Sequence, residues 1–186
     1  MKRLTVLILL IGCIFTACTS SKDKDLKKIK DLENVVLAKF TRPVNIDTAK
    51  LLVDAYVKYA KDFPKDTCSV NYLFKAANIS MNIGKGDLSV ELFDQIMKDY
   101  PDYSKIADCM FLKAFVYDNT LKEYKKARIA YEAFILKYPD HEFADDAQAC
   151  LDNLGKTPEQ LIKDFETKQK EDSLASSKKK IVLQQE

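Results

Sequence analysis

The sequence predicts an all-α protein made of helical hairpins in series, and three observations carry that prediction. Aromatic–proline pairs, Phe63-Pro64, Tyr100-Pro101 and Tyr138-Pro139, recur at spacings of 37 and 38 residues. Each is preceded by an apolar stripe of helical period: Leu52, Tyr56, Tyr59 and Phe63; Leu92, Phe93, Ile96 and Tyr100; Ala127, Tyr131, Phe134 and Tyr138. Each is followed by a second amphipathic stretch, Tyr72 to Ile83, Ile106 to Tyr117 and Phe143 to Leu154. A fixed period with two helices per unit describes a stack in which no hairpin buries its stripe without a neighbour.

Taken in order, residues 1–17 have the form of a secretory leader. Lys2 and Arg3 precede the apolar run Leu4 to Phe15, which is shorter than the roughly 20 residues a spanning helix needs, and Thr16-Ala17 supplies the small residues of a cleavage site. The stretch Phe15-Thr16-Ala17-Cys18 resembles the bacterial lipobox, a resemblance that implies acylation of Cys18 and a mature chain beginning there. Leu10-Ile11-Gly12-Cys13 is a second match. Cys18 is preferred because cleavage at Cys13 would leave Ile14 and Phe15 exposed, whereas Thr19-Ser20-Ser21-Lys22-Asp23 reads as a polar tether. An ordinary secretory leader with an incidental cysteine is the alternative.

The tether is assigned to residues 18–25 and the folded region to 26–165. Leu26, Ile29, Leu32, Val36 and Phe40 form a stripe that predicts an opening helix, packed as a cap and ended by Arg42-Pro43. Thr120 and Glu123 have capping-box spacing for the helix running to Lys137, Asp87 is placed to cap the helix ending at Asp99, and Thr157-Pro158-Glu159-Gln160 opens a last helix with proline at its first position. Residues 166–186 carry charge without an apolar face and read as a solvated tail.

Composition narrows the function. The chain has 186 residues, 47% of them apolar and 31% charged, enough for a real core in one domain. Its four glycines provide no phosphate-cradling loop, which excludes Rossmann and P-loop chemistry. His141 is the single histidine, so multi-histidine zinc sites are excluded and a Ser-His-Asp triad would depend on that residue alone. The net charge of +2 comes from Lys2 and Arg3; beyond Cys18 there are 28 basic and 28 acidic residues. Interspersed charge summing to zero gives no footprint for nucleic acid.

Within this pattern, Ala114-Phe115-Val116-Tyr117, Tyr124-Lys125-Lys126-Ala127, Tyr131 and Tyr138-Pro139 resemble the tetratricopeptide repeat. The preceding unit, Ala77 to Pro101, follows with Gly84, Gly86, Ser89 and Phe93 but places Ser80 where a tyrosine is usual. The resemblance covers residues 45–156. The units are three or four residues longer than the usual 34, a surplus assigned to the turns, notably Asn119 to Glu123.

The resemblance implies a solenoid of three to four hairpins that binds other proteins in a groove lined by the first helix of each, without catalysis, cofactor or metal. It is similar to bacterial cell-envelope repeat proteins of the outer-membrane assembly and Tol-Pal-associated type. That implies a lipid-anchored adaptor, at the outer membrane facing the periplasm, whose partner is an envelope protein or peptide. Registering Ala77 with Ala114 puts Asn71, Phe74, Asn78, Met81 and Asn82 on the groove face of one unit, and Asp108, Phe111, Phe115, Asp118 and Asn119 on that of the next. Phe74 stacked on Phe111 would be an aromatic anchor in a polar surround. The competing reading makes these phenylalanines filler between hairpins.

The other chemistry-bearing residues are few. Cys68, Cys109 and Cys150 form no C-x-x-C pair; Cys109 and Cys150 read as small buried residues and Cys68 as the reachable thiol, the basis of an alternative role as an envelope thiol protein or enzyme accessory subunit. Asp140, His141 and Asp145 could be drawn together as a metal site, but a turn histidine is more often solvated and a metal site needs supporting partners these residues do not announce. Asp145 and Asp146 read as helix N-terminal charges.

Overall fold

A computed structural model describes residues 21–36 and 45–183, with side chains to Ala175. Cys13, Cys18, Phe40 and the leader lie outside the described residues. Residues 21–36 are helical (α1), followed by α2 (Ile46–Asp62), α3 (Thr67–Asn82), α4 (Gly86–Asp99), α5 (Ile106–Phe115), α6 (Tyr124–Lys137), α7 (Ala144–Asn153) and α8 (Pro158–Leu183). There is no strand among the described residues. The architecture is the all-α hairpin solenoid the spacing predicts, with α1–α2, α3–α4 and α5–α6 as hairpins and α7 opening a fourth.

The prolines stand where the helices stop. Phe63, Tyr100 and Tyr138 each donate their backbone N–H to the carbonyl four residues back, at 2.9, 2.9 and 2.8 Å, and the proline that follows has no N–H to extend the ladder. The stripes before them are buried: Tyr56, Tyr59, Phe93, Ile96, Tyr131 and Phe134 are wholly inaccessible. Burying each such side chain contributes about 1.5–3 kcal/mol, which no isolated hairpin could collect.

The core falls into two clusters. The first joins Ile29 of α1 to Leu52, Tyr56, Leu73, Phe93 and Cys109; the second joins Phe111, Ala114, Ala127, Tyr131, Phe134 and Ala147. Ala77 and Ala114 are fully buried at the crossings of their hairpins, and Ser89 Oγ donates to the Ala77 carbonyl at 2.9 Å. Small residues there let the backbones approach. The opening helix does pack as a cap, and it takes in residues 21–25, which the sequence leaves to the tether. Asp25 pairs with Lys58 at 2.8 Å, Lys22 pairs with Asp66, and Glu33 accepts from the Tyr56 hydroxyl at 2.5 Å and from Lys75 at 2.8 Å.

Two caps differ from expectation. Helix α4 begins at Gly86, with Asp87 in its first turn and no side-chain cap, and α6 begins at Tyr124 after Glu123, so Thr120 caps nothing. The Thr157 box does form: Gln160 N–H donates to Thr157 Oγ1 at 3.3 Å and Thr157 N–H to Gln160 Oε1 at 2.8 Å. Helix α8 then runs without interruption across residue 165, and every described side chain from Gly155 to Ala175 is exposed.

Candidate functional site: the cleft between α5 and α7

The two spacings, 37 and then 38, have a structural cause. Ala77 and Ala114 are 37 residues apart, whereas Gly84 and Lys122 are 38 apart, so one residue is inserted between them. It is taken up by a π turn, Val116–Thr120, in which Leu121 N–H reaches the Val116 carbonyl at 3.0 Å. Such one-residue insertions widen a helix locally. The chain then reverses at Lys122, which has φ of 57°, the left-handed region that Gly84 occupies in the preceding unit with φ of 73°. Leu121 is thrown back onto the start of α4. A Cβ on Gly86 would lie 2.6 Å from the leucine Cδ2 and 2.8 Å from its Cγ, so glycine is what lets the turn seat.

Beyond the π turn lies a cleft of about 510 Å³, between the first helices of adjacent hairpins. Phe111 and Phe115 form its floor with Ala149, Cys150 and Tyr124; Asp118, Asn119 and Lys122 come from the turn, Asp146 and Asn153 from α7, Gly155 and Lys156 from the connection into α8, and Leu161 from the first turn of α8. Asn119 donates to the Phe115 carbonyl at 3.3 Å, and Lys156 is held by Asp164 at 2.9 Å. Burial raises the Asp118 carboxyl above its ordinary range, with Lys122 opposing it. The result is an aromatic floor under a rim of mixed charge, with backbone and amide groups at its edge.

Phe111, Phe115, Asp118 and Asn119 therefore share one site. The other predicted groove residues do not line it. Asn71 accepts from the Tyr103 hydroxyl at 2.9 Å, Asn78 donates to the Phe74 carbonyl at 2.8 Å, Met81 packs on the first core cluster, and Asn82 is exposed at the end of α3. Asp108 faces His141 Nε2 at 3.5 Å. The expected stacking of Phe74 on Phe111 is not formed. Phe74 meets Phe93 and Tyr103 edge-on at 6.2 and 6.0 Å, while Phe111 stacks on Phe143 at 4.8 Å and touches Phe134 at 5.7 Å. Tyr103, in the turn after Pro101, takes up the contact with Phe74, and Phe143, in the turn after Pro139, takes up the contact with Phe111. At 9% exposure Phe111 is core that also floors the cleft.

The site residues that sequence reasoning missed sit on α7, in the fourth unit. Carrying the 38-residue register one step further places Asp146, Ala149 and Asn153 opposite Asp108, Phe111 and Phe115. Helix α7 thus presents the same face as α5. That signal was available from Pro101 and Pro139 alone.

The three thiols among the described residues are free: Cys68 is exposed and Cys109 buried, as expected, whereas Cys150 is only half-buried because it lines the cleft floor. Burial pushes the Cys109 thiol up to about 12, which keeps it protonated and inert. Cys68 lies at the N-terminus of α3, its N–H donated to Asp66, away from the cleft. His141 is half-buried rather than solvated, edge-on to Phe134 at 5.5 Å, and accepts from Phe143 N–H at 3.2 Å. The carboxylates gathered near it are Asp108 and Glu142, with ligating atoms within 4.8 Å, in place of Asp140 and Asp145.

Residues 108–141, 34 in all, match the tetratricopeptide repeat. That stretch is similar to the repeat over its whole 34-residue length. The matched stretch includes α5 from Asp108, the π turn and α6, and so supplies the floor and one wall of the cleft. No curated protein matches the chain. Repeats of this kind are generally non-catalytic surfaces for binding other proteins, and the all-α hairpin stack here is built on that plan.

Proposed function

We propose that the protein is a lipid-anchored adaptor of the bacterial cell envelope that holds another envelope protein or peptide in the cleft between α5 and α7, without chemistry of its own. The observation that carries the reading is the cleft itself, in which an aromatic floor of Phe111, Phe115 and Tyr124 is ringed by Asp118, Asn119, Lys122 and Lys156. Rigid aromatic surface surrounded by polar groups is the composition of binding hot spots, and its volume accommodates a side chain or two of a bound segment. Support for the envelope comes from the leader and from Phe15-Thr16-Ala17-Cys18, and no helix among the described residues is long and apolar enough to cross a membrane. The outer membrane facing the periplasm is the placement that the resemblance to envelope repeat lipoproteins favours.

Two arms test the reading. Cys18→Ala releases the protein from the membrane fraction; retention on membranes after a salt wash contradicts the anchor. Phe115→Glu, whose side chain is half-buried at the cleft, abolishes capture of the partner that the unaltered chain retains from envelope extract, with the circular dichroism melt unchanged. Equal capture by both contradicts the cleft as the binding site.

A further inference from the structure

We infer that the outward face of α6 docks the first turns of α8 from a second copy of this chain. The repeat provides its own control. Ile129, Ala133 and Leu136 lie on the solvent side of α6; the same positions are Glu91, Gln95 and Lys98 in α4, and Asp54, Lys58 and Lys61 in α2. Two units put charged and polar side chains where the third puts an apolar stripe. Ile129 is 67% exposed and Leu136 86% exposed, while the opposite face of the same helix is already buried through Ala127, Tyr131 and Phe134. A helix apolar on both faces is the pattern of one packed on both sides.

A cleft of about 320 Å³ runs beside the stripe, floored by Met97, Met110, Tyr117 and Ala130. Methionine floors adapt to the side chain that enters. Two cations stand at its mouth: the ammonium groups of Lys113 and Lys126 lie 5.8 and 5.4 Å from the centre of the Tyr117 ring.

Helix α8 offers the complement. Ile162 is 60% exposed and Phe165 68% exposed, and Glu159 and Glu166 lie one turn to either side of Ile162 on the same helix face. The helix has 26 residues, so it extends about 39 Å, and its described side chains are exposed throughout. One chain thus carries an apolar groove with a basic rim and an apolar helix edge with acidic flanks, neither covered by its own fold. Lys113 and Lys126 already hold Asp94 and Glu123, so charge sets the orientation and the apolar contact supplies the affinity. Reciprocal exchange closes a two-fold dimer with two such contacts.

The test uses the full chain, purified in mild detergent, in analytical ultracentrifugation. The unaltered chain self-associates at tens of micromolar. A groove variant, Ile129→Glu with Leu136→Glu, and a helix variant, Phe165→Glu, each weaken association by about tenfold or more while melting as the parent does, because all three side chains are exposed. Mixing the two variants restores a heterodimer, since one intact groove then meets one intact helix. A monomeric parent at about 100 μM, variants that associate like the parent, or a mixture that stays monomeric would each overturn the inference; capture of some other protein on α6 by a monomeric chain would overturn it too.

Discussion

Phe111 is core and cleft surface at once. Its ring packs on Tyr131 and Phe134 of α6 and on Phe143 at the start of α7, and at the same time it lines the cleft. Phe111→Ala would leave a cavity among side chains that cannot collapse together, at a cost of about 3–5 kcal/mol in denaturant unfolding. A loss below about 1 kcal/mol would mean that the ring is not core. Asp66 gives the matching electrostatic case. The Lys22 ammonium and the Cys68 N–H pull its carboxyl down to about 2, below the ordinary value of 3.8. A depressed carboxyl stabilises the fold above its unfolded value and ceases to do so as pH falls through the folded one. Asp66 is also the N-cap of α3, so Asp66→Ala costs about 1 kcal/mol at pH 7. Thermal melts of the pair therefore converge between pH 4 and pH 2; a gap that persists below pH 2 would assign the effect to packing.

At the scale of the element, the π turn and Lys122 make the clearest prediction. Gly84 and Lys122 occupy equivalent left-handed positions, but only glycine does so without a Cβ penalty. Lys122→Gly stabilises the protein by about 0.5–1 kcal/mol, the relieved strain being partly offset by a looser unfolded chain, and Gly84→Ala destabilises it by a similar amount or more. If Lys122→Gly lowers the melting temperature, the turn geometry is other than described. The same region shows what was legible in the sequence. The helix ends were, because proline after a buried aromatic leaves no alternative at Pro64, Pro101 and Pro139. The surplus residue was, because 38 exceeds 37. The caps at Asp87 and Thr120 were not, because a π turn and a buried glycine fix those helix starts through backbone geometry and the seating of Leu121, and neither appears in a capping-box spacing. The groove was half legible. Registering Ala77 with Ala114 found the face of α5, but the cleft lies between α5 and α7, and its second wall required carrying the register beyond Pro139.

For the whole molecule, the stack explains why one cleft is distinguished. Between α3 and α5 the space is filled by Phe74, Tyr103 and Lys105, whose ammonium sits 5.0 Å from the Phe74 ring. Between α5 and α7 the position opposite Phe111 is Ala149 and that opposite Phe115 is Asn153, so the aromatic floor faces small and polar side chains and stays open. This opening is the proposed seat of the partner. Photo-crosslinking in the source cells tests it most directly, with the reactive side chain placed at Asn119 in the cleft and, as the control, at Glu91 on the opposite side of the stack. The expected result is a discrete adduct with one envelope protein from Asn119 and none of that adduct from Glu91; the same adduct from both positions, or none from Asn119, would contradict it.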